Sequence, residues 1–67
     1  MSYIVYVKYN DFPDRWYGVK EYKTEKKALD GMKSIFNGEK RIPPYCNNNI
    51  VKIFSNEGSI SYYKKEK

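Results

Sequence analysis

One segment of the chain, and only one, carries the hydrophobic period of a helix. In "TEKKALDGMKSIFNG", Thr24 to Gly38, the residues Ala28, Leu29, Met32, Ile35 and Phe36 fall on one helical face. Thr24 is a natural N-cap, Glu25 stands beside the positive helix end, and Gly38 is placed to stop the helix as its C′ residue. Gly31 inside it costs about 1 kcal/mol relative to alanine, a cost that close packing on a sheet would offset. A single helix covers a single face of a single sheet. The rest of the fold is bounded by that restriction.

On both sides of the helix the period changes to that of strands. "YIVYVKY", Tyr3 to Tyr9, is dense in β-branched and aromatic residues and predicts a first strand. "NDFPD", Asn10 to Asp14, is a turn in which Pro13 sets one φ angle, and "RWYGVKEYK", Arg15 to Lys23, is the second strand of a hairpin. Gly18 within it marks a bulge or a close approach. After the helix, "EKRIPPYCNNN" reads as a loop, because paired prolines exclude a helix or central strand and the asparagine run has turn character. "IVKIFS" and "SISYYK" form a second hairpin about Asn56, Glu57 and Gly58.

The order is ββαββ, an α+β class with a four-stranded mixed or antiparallel sheet and one helix packed on one face. Setting the first and last strands side by side and parallel at the centre makes the topology β-grasp-like, a resemblance of topology alone in a fold that hosts many functions. The 67 residues make one small domain over positions 1–67, with 64–67 as a frayed tail. A domain of this length is only marginally stable. Cys46 is the sole cysteine and histidine is absent, so neither an intrachain disulfide nor a zinc site reinforces it. The lone cysteine fits a reducing, cytoplasmic setting, and the longest apolar run, Tyr3 to Val7, is far short of a membrane span.

Sorting the strands by their two-residue period separates two faces. A lysine in mid-strand does not belong under the helix, because burying an unpaired ammonium is costly. The lysine-free sets, Val5, Val7, Val19, Val51, Ile53 and Ile60, are therefore expected to meet Leu29, Met32, Ile35 and Phe36. The other face is expected to carry Tyr6, Lys8, Trp16, Lys20, Tyr22, Lys52 and Phe54, with a bulge at Gly18 able to flip part of the second strand. Ile42 and Tyr45 are expected to be exposed on the Pro-Pro loop.

Catalysis is disfavoured. Without histidine the usual general base near neutral pH is missing, and Cys46 has no histidine to activate it. No glycine-rich phosphate loop, dinucleotide fingerprint or calcium-loop spacing is present, and neither cofactor nor metal is expected. Thirteen Lys+Arg against eight Asp+Glu give a net charge of +5, and eleven of the positives are lysines, which attract as point charges. Interleaved aromatics and lysines suit a protein-docking face or a platform for single-stranded nucleic acid. A non-enzymatic inhibitor or adaptor that binds a protein is the favoured expectation. A nucleic-acid module and a homodimer that buries the same face are the alternatives, and no membrane is involved. The composition, rich in Lys, Asn, Ile and Tyr, resembles that of small orphan proteins of AT-rich bacteria and their phages, which favours a host-directed or anti-defence inhibitor.

Overall fold

In the computed structural model, which describes residues 2–12 and 14–64, the two strand-period pairs join in one sheet. The elements are β1 (Tyr3–Tyr9), β2 (Trp16–Tyr22), α1 (Glu25–Phe36), β3 (Cys46–Ser55) and β4 (Gly58–Tyr63). The strand order is β2-β1-β3-β4 and every neighbouring pair is antiparallel. The α+β class and the ββαββ order are as expected, and of the two sheet types the antiparallel one forms. The parallel central pair of a β-grasp sheet does not, because β3 rather than β4 takes the place beside β1. One backbone and one side-chain hydrogen bond hold the incoming loop to the end of β1: Asn10 N donates to Tyr45 O at 2.9 Å, and Asn10 Nδ2 donates to Pro44 O at 3.4 Å.

The helix begins and ends where its capping residues dictate. Thr24 is extended and its hydroxyl accepts from Lys27 N at 3.2 Å, while Gly38 at φ +77° follows the C-cap Asn37. β2 and β3 both run antiparallel to β1 and therefore parallel to one another, so α1 is the crossover between them. It lies over β1, β2 and β3. Val5, Val7, Ala28, Met32, Ile35, Cys46, Val51 and Ile53 are buried between helix and sheet, with Val19, Leu29, Phe36 and Ile42 packed at the margin. Two expectations are corrected here. Ile42 joins this margin instead of standing exposed, and Ile60, on the helix side of β4, is 57% exposed because the crossover does not extend over the last strand.

The asparagine run is strand as well as turn. β3 starts at Cys46, opposite Tyr9, and the register with β1 slips between Val7 and Lys8, so that Asn48 to Ile50 bulge out of the ladder with β1 while Ile50 still pairs with Tyr63 of β4. Asn49 N donates to Asn47 Oδ1 at 2.8 Å inside this bulge. The turn character of asparagine is thus spent within a strand. Pro13 and residues 65–67 lie outside the described residues, while Lys64, the first of the expected tail, donates its backbone N–H to Asn49 O at 2.9 Å.

Candidate binding face

None of the described residues forms a layer over the face of the sheet opposite α1. Cross-strand partners share a face, and the pairs Tyr6–Lys52, Lys8–Trp16 and Ile4–Phe54 bring five of the expected site residues together there, with Ile4 added. Lys52 is the centre of the group. Its Nζ lies 4.4 Å from the Trp16 ring centroid and 5.5 Å from that of Tyr6, so one ammonium is held by a ring from the adjacent β1 and a ring from β2 beyond it. Such contacts contribute about 0.5–1 kcal/mol each at an exposed site. The Tyr6 ring also rests on Gly18, where an added Cβ would stand 3.6 Å from Tyr6 Cε1. The ring of a central strand thereby covers the bare backbone of the edge strand. Tyr6, Lys8, Trp16 and Lys52 are half-buried, and Phe54 is 46% exposed.

Lys20 and Tyr22 do not belong to this face. The β1–β2 register slips at Val19, which has no partner, so Lys20 pairs with Val5 and Tyr22 with Tyr3 on the helix side. Tyr22 lies against the helix at Gly31, where an added Cβ would approach its Cζ to 2.6 Å, and Lys20 Nζ sits 5.4 Å from the Tyr22 ring centroid. The same slip turns Glu21, paired with Ile4, to the open face. Gly31 is therefore where it must be. Only a residue without a side chain admits the Tyr22 ring beneath α1.

Tyr45 belongs to neither face but to one end of the sheet. Its ring packs 5.4 Å from that of Tyr9, Tyr9 meets Phe12 edge-on at 6.4 Å, and the Arg15 guanidinium lies 5.5 Å from the Phe12 centroid. Tyr45 is 51% exposed and Phe12 54%. Loss of water around the Tyr45 hydroxyl pushes its pKa up, helped by Tyr9, Tyr17 and Cys46. Burial likewise pushes the Cys46 thiol up, away from the reactive thiolate.

Two open-face residues were missed in choosing a site from sequence. Ile4 and Tyr63, the latter 68% exposed, follow the same two-residue period as Tyr6 and Ser61 and were within reach of that rule. Among the described residues no cluster of three or more His, Cys, Asp or Glu could hold a metal ion, and no helix is long and apolar enough to cross a membrane. No family model, curated protein or solved structure matches the chain, so its function is read from this face alone.

Proposed function

We propose that the chain is a non-enzymatic binding protein that docks on another protein through the open sheet face, as an inhibitor or adaptor. The observation that carries this reading is the Lys52 ammonium held between Trp16 and Tyr6 on a face that no layer of the described residues covers, beside the exposed Phe54. Half-buried aromatics preordered by their neighbours lose little entropy on binding, which is what interface anchors require. Lys8 and Lys52 give the patch a positive charge and suit a partner with an acidic surface. Action by occupancy also agrees with the absence of histidine and the unreactive setting of Cys46. A host-directed role is the form of this activity that the composition favours.

Protein is preferred to nucleic acid for a local reason. A base stacking on Trp16 or Tyr6 has to displace the ammonium already lying against those rings, and Glu21 places a negative charge on the same face. Trp16 is the sole tryptophan, so its fluorescence reports directly on the patch. Titration with an oligothymidine of about 12 nucleotides at about 50 mM salt is expected to give no saturable change below about 10 µM. Tight binding that weakens steeply with salt would assign the face to nucleic acid.

A further inference from the structure

The two edges of the sheet are built differently. β2 is broken by the slip at Val19 and carries Lys20 and Glu21 in mid-strand, features that discourage another strand from pairing. β4, "GSISYY", has no charge, no proline and an unbroken register with β3. Only Tyr62 of its described residues packs against the core: Ile60 is 57% exposed on the helix side and Tyr63 68% exposed on the other. Beside Ile60 and Tyr62 lies a groove of about 170 Å³, bounded by Tyr3, Glu25 and Ile53.

The backbone of this strand has a definite phase. Lys64 N donates to Asn49 O, so along the unbroken register residues 58, 60 and 62 direct their backbone groups toward β3. The N–H and C=O groups of Ser59, Ser61 and Tyr63 consequently point outward. Charge flanks the neutral strand with opposite signs, Glu57 just before it and Lys64 just after it. Antiparallel pairing of the strand with itself sets each Glu57 end against a Lys64 end, twice over. The charge pattern is thus self-complementary in spite of the net charge of +5.

We propose that β4 is a self-docking edge that pairs antiparallel with β4 of a second copy across a twofold axis at Ser61, making one continuous sheet. The axis stands perpendicular to the sheet, so the faces are preserved and only residues of like face come opposite each other. With the axis at Ser61, Ser61 faces its own copy and Ser59 faces Tyr63 of the second copy, so every outward residue of both strands is engaged. Ile60 then lies opposite Tyr62 of the second copy, whose ring covers it at the rim of the groove, and Gly58 lies opposite Lys64 of the second copy. The open faces of the two copies end on the same side, doubling the docking surface without using any of its residues.

Sedimentation velocity from about 10 µM to about 1 mM tests this, because a contact this small is expected to be weak. The sedimentation coefficient of the wild type is expected to rise to that of a dimer. Ser61→Pro removes only an outward amide and is expected to stay monomeric with an unchanged far-UV circular dichroism spectrum. A second variant avoids dependence on proline. Ser61→Cys is expected to crosslink with a thiol reagent spanning about 5 Å, the separation of directly opposed residues, and Ser59→Cys and the wild type, whose Cys46 is buried, are not. A monomer at every concentration would overturn the proposal, as would equal crosslinking of the two cysteine variants. So would a dimer that survives Ser61→Pro and is broken by Trp16→Ala, which would put the interface on the open face.

Discussion

Replacing Gly31 by alanine should destabilise this protein, although the same change in most helices stabilises. In a helix interior the substitution is worth about 1 kcal/mol in favour of alanine. Here the new Cβ would stand 2.6 Å from Tyr22 Cζ, well inside van der Waals contact. The half-buried Tyr22 ring must swing out from beneath α1, losing its packing and its contact with Lys20. Overpacking of this kind costs about 1–3 kcal/mol. Gly31→Ala is therefore expected to lower stability by up to about 2 kcal/mol after the helical gain is counted. In a Tyr22→Ala background the obstacle is gone, and the same substitution should raise stability by about 1 kcal/mol. The assay is urea unfolding of the four proteins by far-UV circular dichroism, with an expected coupling of about 1–3 kcal/mol. Equal stabilisation by Gly31→Ala in both backgrounds would refute the reasoning and return Tyr22 to the open face.

Three further outcomes are expected. Thr24→Ala deletes the hydroxyl that accepts from Lys27 N and should cost about 1 kcal/mol, read as a lowered thermal midpoint. Burial raises the Cys46 thiol above its ordinary 9.0, so the native state keeps its proton where the unfolded state loses it. The stability linked to this thiol is complete below pH 9.0 and falls as pH rises through that value, so the urea midpoint of the wild type should drop more steeply there than that of Cys46→Ala. Tyr6→Ala loses the cover over Gly18 and one contact with Lys52, and should cost about 1–2 kcal/mol while the chain stays folded at 25 °C. Complete unfolding by this change would mean that the ring is there for stability.

The element order is readable from the sequence because each boundary has a local cause. Thr24 and Gly38 bracket the helix by their own chemistry, and the paired prolines separate it from β3. The sorting of faces also follows from local rules along β1, where Val5 and Val7 alternate with Tyr6 and Lys8 without interruption. It fails on β2, since a single unpaired residue, Val19, inverts everything after it and carries Lys20 and Tyr22 to the other side. A bulge is signalled by Gly18 in the sequence, but the residue at which the register slips is decided by pairing with β1. Strand order was beyond local rules for a similar reason. β3 lies beside β1 through a ladder, extended by the bonds between Asn10 and the Pro44–Tyr45 loop, whose partners are more than thirty positions apart.

That the open face binds a protein is tested most directly by comparing baits from one lysate. Wild type, Trp16→Ala, Phe54→Ala and Lys33→Ala, the last on the exposed side of α1, would be immobilised after their thermal midpoints are shown to be similar. Each would be incubated with nuclease-treated bacterial lysate and the retained proteins identified by mass spectrometry. The account predicts one partner held by the wild type and Lys33→Ala baits and lost from the other two. Retention of the same protein by all four baits, or capture that disappears once nuclease is added, would contradict it.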